Sequence, residues 1–295
     1  MRRLISKVPF ERDMDVELIG VIGAGQMGNG IAQVAACAGF KVVIVDIKQE
    51  YLDNAINNIQ KSLDKLVKKD RLNQKQVDYA FSLISCNTDM SAVSKADLVI
   101  EAVPEILELK HSIFSKLDSV CKPTTILASN TSSISIDEIA NFTNRPELVI
   151  GMHFMNPVPI MKLVEIINGT KTTTMVNDTV VETASKMGKI ALSCNDSPGF
   201  VSNRILCPML NEAILTLEEG VAEAEAIDGI MKLGMNHPIG PLALSDLIGL
   251  DTLLHIMNVL HEGLNDDKYK PANLLIDKVK KGHLGRKSGI GFYQY

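Results

Sequence analysis

Up to about Asp196, short apolar runs alternate with stretches of helical spacing. Glu17–Ile22 reads as a strand that ends at Gly23. Met27, Ile31, Val34, Ala35 and Ala38 then recur at helical intervals until Gly39 stops the helix. Phe40–Asp46 reads as a buried strand, residues 49–69 as a long polar helix, Asp97–Glu101 as a strand and Glu105–Leu117 as a helix. Thr125–Ser129 is a further strand, Asp137–Asn141 a short helix, and Leu148–His153 and Lys162–Ile167 two more strands. Such alternation predicts a mostly parallel sheet covered on both faces by helices.

The pattern changes at Asp196-Ser-Pro-Gly199. From there the spacing is helical almost throughout: Val201, Ile205, Met209, Ala213, Ile214 and Leu217 repeat at three- and four-residue steps up to Gly220, with Pro208 inside the run as an expected kink. Helices are predicted over Ala224–Leu233, from Pro241 to about His261 as one element, and over Ala272–Lys281. The expected organisation is therefore an α/β domain over 1–197 and an all-helical domain over 198–295. Apolar stripes on the helical domain, including Leu206, Met209, Leu210, Ile214, Leu253, Leu254 and Met257, need a partner and suggest a homodimer.

Composition narrows the classes. The 295 residues are 46% hydrophobic and 22% charged, which fits a globular chain and not a disordered one. A net charge of −5 argues against a nucleic-acid partner held by phosphate contacts. No apolar run reaches the ~18 residues of a membrane span. Five scattered cysteines with no C-x-x-C point to a reducing compartment, and to neither a disulfide framework nor a zinc site, so no metal is expected. The cytoplasm is the expected location. The basic segment Met1–Arg12, with Arg2, Arg3, Lys7 and Arg12, leaves open a remnant of a mitochondrial transit peptide, against a solvated lead-in to the first strand.

Four constellations carry possible chemistry. The first is Gly23-Ala24-Gly25-Gln26-Met27-Gly28, a G-x-G-x-x-G that follows a strand and opens a helix. Gly23 allows the tight turn, Gly25 admits a pyrophosphate close to the backbone, and Gly28 permits close helix–strand packing. Asp46, at the end of the next strand, is placed to bind adenosine ribose hydroxyls and to repel a 2′-phosphate, which favours NAD over NADP. The second is His153 with Glu165. A hairpin centred on Pro159 would set them opposite each other, with Cβ atoms about 5 Å apart. A carboxylate beside an imidazole orients a general base; the same pair could instead merely pin the hairpin. The third is Ala128-Ser129-Asn130-Thr131-Ser132-Ser133, at the C-terminal end of a strand. Its hydroxyls and amide could hold a substrate oxygen or simply cap the short helix that follows. The fourth is the helix bearing Lys61, Lys65, Lys68 and Lys69, either a solvated face or a site for a phosphate-bearing substrate handle.

Taken together these residues resemble the short-chain L-3-hydroxyacyl-CoA dehydrogenases, and within them the bacterial-type 3-hydroxybutyryl-CoA dehydrogenases. The resemblance runs from about residue 17 to the end. It rests on residues 20–28, Ile126–Ser133 and Gly151–Pro159 leading into Met161–Glu165, then on Pro198–Arg204, Met231–Gly234, His237–Pro241 and Gly285–Tyr293. It implies a Rossmann-like dinucleotide-binding domain followed by a helical dimerisation domain. The implied reaction is NAD-dependent interconversion of a (S)-3-hydroxyacyl-CoA and a 3-oxoacyl-CoA. In the family's pattern His153 is the catalytic base and Glu165 its orienting partner. Ser132 and Asn203 would hold the reacting oxygens, with Asn156 lining the same site. Glu105, Lys110, Asn130 and Lys287 would contact NAD, and Ser62 and Lys69 the CoA moiety. Two positions depart from the family: Pro104 just before Glu105, and Ser202 just before Asn203. Two other functions compete, namely a non-catalytic protein on the same fold and an enzyme acting on free hydroxy acids. The intact His153, Glu165, Ser132 and Asn203 argue against the first, and the lysine helix against the second.

Overall fold

The structure, a computed structural model, describes residues 15–295; the basic segment Met1–Arg12 lies outside them. The described residues divide into two compact units, the first ending at Asp196 and the second Ser197–Tyr295.

The first unit is built on one eight-stranded sheet. Its strands are β1 (Leu18–Ile22), β2 (Lys41–Val45), β3 (Ile84–Asn87), β4 (Leu98–Glu101), β5 (Ile126–Ser129), β6 (Val149–Phe154), β7 (Leu163–Asn168) and β8 (Ile190–Asn195). They lie in the order β3-β2-β1-β4-β5-β6-β7-β8. All neighbours run parallel except β6 and β7, which form an antiparallel hairpin. Helices α1 (Gln26–Cys37), α2 (Gln49–Val67), α3 (Gln74–Ser82), α4 (Leu107–Val120), α5 (Ile136–Ala140) and α6 (Thr174–Lys186) complete the unit. The central strands read as unbroken apolar runs because both faces are covered: every residue of β4, β5 and β6 is buried.

Register sets the site. Ile22, Glu101, Ser129 and Gly151 stand side by side on β1, β4, β5 and β6. The loops that leave β1, β4 and β5 therefore emerge at one edge. The chain order reverses between β1 and β4, and that crevice is where α/β sheets bind ligands.

Two edge strands, β3 and β8, and two helices, α3 and α6, are absent from the pattern reading. The inner face of α6 mixes Thr179 and Thr183 with Val176, Val180 and Ala184, β3 alternates half-buried and exposed positions, and β8 is mostly exposed. Neither gives the apolar run of a central strand.

The second unit is helical: α7 (Ser202–Glu218), α8 (Ala224–Gly234), α9 (Pro241–Ile248), α10 (Leu250–Leu264) and α11 (Asn273–Lys280). Here the expectation of one helix from Pro241 to His261 is corrected. The chain turns by 97° at Gly249, whose φ of +103° only glycine adopts without strain. The apolar spacing continues across the bend, because both halves pack on one core that includes Leu242, Leu250, Leu253 and Met257. α7 runs on through Pro208.

Candidate active site

The glycine loop is shaped by contact. Gly23 has φ +103°, and its carbonyl oxygen lies where a Cβ on Gly28 would come within 1.8 Å. No side chain fits at Gly28, which brings α1 down onto β1. At Gly25 a Cβ would meet nothing within 4 Å, so that side of the loop is open. The start of α1 has no side-chain cap and no acid in its first turn. Its N–H groups thus keep the positive potential that attracts a phosphate. Asp46 follows β2 directly; its Oδ2 accepts from Ala24 N at 2.7 Å and its Oδ1 from Ile47 N at 2.7 Å. Each oxygen keeps a further lone pair for a ribose hydroxyl. Open space at Gly25, uncapped amides and a fixed carboxylate all fit a dinucleotide.

Beside this loop lies a network of buried charges. Glu101 ends β4, fully buried, and both its oxygens accept from Lys110 Nζ, at 2.7 and 2.9 Å. Lys110 Nζ also reaches Glu105 Oε2 at 3.3 Å. The Lys110 side chain is only 1% exposed, so its ammonium is committed to these two carboxylates. Breaking one partner of such a buried pair typically costs about 3–5 kcal/mol, so the three charges behave as one unit. Glu105 Oε1 in turn accepts from Thr131 Oγ1 (2.6 Å), Ser132 N (2.8 Å), Ser133 N and Oγ (both 3.0 Å) and Ser132 Oγ (3.3 Å). Burial pushes the Glu105 carboxyl up, but the Lys110 charge and these hydrogen bonds outweigh it and hold it below the usual range. Pro104 does not displace Glu105 from this role. Ser129 Oγ donates to Glu101 at 2.6 Å, and Phe154 N donates to Asn130 Oδ1 at 2.9 Å, which ties the serine loop to the end of β6.

On the hairpin, His153 pairs with Glu165 in register, and His153 Nδ1 lies 2.8 Å from Glu165 Oε2. Both are buried, at 9% and 4% exposure. The neighbouring Cys194 is held as a thiol: burial, with the charges of Glu165 and Asp196 adding, pushes it up to about 11. Beyond His153, Asn156 Oδ1 accepts from Gln26 Nε2 of the glycine loop at 3.0 Å.

The structure thus brings together Gly23, Ala24 and Asp46; Glu105, Lys110 and Ser132; Asn130 with Phe154; Gln26 with Asn156; and His153 with Glu165. Ser62 is half-buried on α2 and Lys69 exposed just past its end, and they join none of these groups. In the second unit, Asn203 sits in the first turn of α7, and Lys287 Nζ pairs with Asp251. Sequence reasoning overlooked Glu101, although an acid closing an otherwise apolar strand was a signal; Thr131 and Ser133 stood in the hydroxyl cluster after β5, but their pairing with Glu105 was not foreseen. Among the described residues no group of His, Cys, Asp and Glu is placed to hold a metal ion.

Comparison with known proteins extends this picture to the whole chain. The family model for the 3-hydroxyacyl-CoA dehydrogenase NAD binding domain matches residues 18–197, and that for the 3-hydroxyacyl-CoA dehydrogenase C-terminal domain matches residues 199–295. A probable 3-hydroxybutyryl-CoA dehydrogenase of Deinococcus radiodurans is 59% identical over 94% of this chain and 99% of its own length. A probable 3-hydroxybutyryl-CoA dehydrogenase of Bacillus subtilis is 54% identical over 96% and 98%. Among solved structures, the (S)-3-hydroxybutyryl-CoA dehydrogenase of Ralstonia eutropha superposes with a TM-score of 0.94 at 47% identity, covering 95% of this chain and 99% of that one. Both domains match, in order and at near-full length: the chain belongs to the short-chain 3-hydroxyacyl-CoA dehydrogenase family, is closely related to its 3-hydroxybutyryl-CoA dehydrogenases, and is an NAD-dependent oxidoreductase of 3-hydroxyacyl-CoA and 3-oxoacyl-CoA.

Proposed function

We propose that the chain interconverts (S)-3-hydroxybutyryl-CoA and acetoacetyl-CoA, with His153 as general base and Glu165 as the group that orients it. The observation that carries this reading is the buried 2.8 Å contact between His153 Nδ1 and Glu165 Oε2. An ionised Glu165 accepts a hydrogen bond from Nδ1–H, which leaves Nε2 as the acceptor nitrogen. In oxidation, Nε2 takes the 3-hydroxyl proton while the hydrogen on C3 departs with its electron pair. In reduction, the protonated ring returns that proton to the alkoxide. NAD, held by residues 23–28 and Asp46, supplies the hydride acceptor when bound.

Ser132 and Asn203 are assigned to the reacting oxygens and Asn156 to the acyl portion. Glu105, which fixes the Ser132 loop, and Lys110, which is bound to Glu105, are assigned to NAD. Asn130 and Lys287 complete the cofactor contacts, and Ser62 and Lys69 take the CoA moiety. A homodimer and a cytoplasmic location complete the reading. The first is supported by apolar side chains left exposed on the helical unit, such as Ile205, Ile230 and Leu233. The second is supported by five cysteines that are all free thiols. No single helix among the described residues is long and apolar enough to cross a membrane.

The test is NADH consumption with acetoacetyl-CoA and longer 3-oxoacyl-CoA thioesters. His153→Gln should lower kcat by about 10²–10⁴, the usual contribution of a general base, with NADH affinity nearly unchanged. Near-normal turnover in a folded, NADH-binding variant would overturn the assignment.

A further inference from the structure

The connection between the two hairpin strands, residues 155–162, is gripped from two sides. On one side is α1. Gln26 Nε2 holds Asn156 Oδ1 at 3.0 Å. One turn further along, Gly30 lets Val158 pack so close that a Cβ on Gly30 would stand 2.8 Å from the Val158 Cβ. Gln26 and Gly30 are four residues apart and so share a face of the helix that opens the dinucleotide loop. On the other side is Lys189, the residue before β8. Its Nζ donates to the carbonyl of Met161 at 2.9 Å and to the carbonyl of Val158.

Lys189 is an expensive way to fill this space. It is 8% exposed, and burial lowers its pKa. Among the described residues no ion pair includes it. A cation stripped of water without a counter-charge is unfavourable, and a methionine would fill the same volume at less cost. What the ammonium adds is saturation of two carbonyls in the one connection that joins His153, through Asn156, to the glycine loop.

We propose that Lys189 is a positioning residue that makes the 155–162 connection a rigid strut between the dinucleotide loop and the acyl site, so that NAD and the acyl-CoA thioester each strengthen binding of the other. The inference rests on the reading of His153 and Asn156 as bordering the acyl site. A ligand that orders Gln26 orders Asn156 through their hydrogen bond, and the second ligand then meets a loop already fixed. Such coupling is reciprocal, so either ligand can be used to measure it.

NAD⁺ and acetoacetyl-CoA are both oxidised and form a ternary complex that cannot turn over. Titration calorimetry of acetoacetyl-CoA into the full-length protein, with and without saturating NAD⁺, therefore reads the coupling directly. The wild type should bind about 5-fold or more tightly with NAD⁺ present. Lys189→Met should bring that ratio below about twofold, with the Kd for NAD⁺ alone and the melting temperature close to wild type. A purely structural lysine would move the melting temperature and leave the ratio intact. Gln26→Ala should also collapse the ratio, and it decides the matter if Lys189→Met does not fold. No coupling in the wild type, or full coupling in whichever of these variants folds, overturns the proposal. Asn156→Ala tests the underlying reading separately: unchanged acetoacetyl-CoA affinity without NAD⁺ would remove Asn156 from the acyl site.

Discussion

Asp46 and Glu105 are both carboxylates next to the dinucleotide loop, and their surroundings give them different work. Asp46 accepts two backbone N–H groups and remains half-exposed, which supports the proposal that it receives ribose hydroxyls and repels a 2′-phosphate. Asp46→Ser should narrow the gap between NADH and NADPH, measured as the ratio of kcat/KM values. A wild type that prefers NADPH would refute the assignment. Glu105 is instead an organiser, with its charge held by Lys110 and the serine loop. Its pKa in the folded protein lies below the ordinary 4.5. Its contribution to stability is therefore present above 4.5 and is lost as pH falls through the lowered folded value. Melting temperatures of the wild type should drop along this acid limb, and Glu105→Gln should flatten the drop. Parallel acid limbs for the two proteins would show that Glu105 is not one of the groups responsible.

At the scale of elements, α2 carries Leu52, Ala55, Ile59 and Leu63 on its inner face, and Lys61, Lys65, Lys68 and Lys69 lie exposed along or just past it. Sequence spacing alone left two readings for those lysines, a solvated face or a CoA site, and membership of the 3-hydroxyacyl-CoA dehydrogenase family favours the second. A contact far from the reacting carbon is made in ground and transition states alike. Lys69→Ala should therefore raise the KM for acetoacetyl-CoA with a smaller effect on kcat, and the effect should shrink as salt screens the charge. An unchanged KM at low salt would return α2 to a solvated helix. The elements that the sequence reveals well are the buried ones: β1, β2, β4, β5 and β6 lie within a residue or two of where their apolar runs predict. Edge elements such as β3 and β8 escape because half or more of each strand faces solvent and polar residues there, Ser85 and Asn87 in β3 and Ser193 and Asn195 in β8, break the apolar run.

For the whole molecule, the helical unit bears on assembly through the apolar side chains it leaves exposed. Ile230 and Leu233 stand three apart on α8, 61% and 90% exposed, more apolar surface than a lone helix leaves in water without reason. If this face is the homodimer contact, the double change Ile230→Asp and Leu233→Asp should shift sedimentation from dimer to monomer. A dimer of undiminished mass would place the contact elsewhere.

The sequence by itself determined the fold class, the dinucleotide loop, the carboxylate at the end of the second strand and the pairing of His153 with Glu165. Each of these follows from local rules: a glycine pattern between strand and helix, a two-residue period, and a hairpin whose centre fixes which residues face each other. The tertiary structure decided the rest. Glu101 and Lys110 meet because a strand end and the following helix are folded back on each other, and Glu105 collects three residues from the next loop because β4 and β5 are neighbours in register. The bend at Gly249 was hidden because helical spacing is preserved on both sides of it, while the φ of one glycine redirects the chain. Lys189 reads in sequence as an ordinary surface lysine after Gly188. Its burial exists only because β8 lies beside β7 and delivers the ammonium beneath a turn almost thirty residues earlier in the chain.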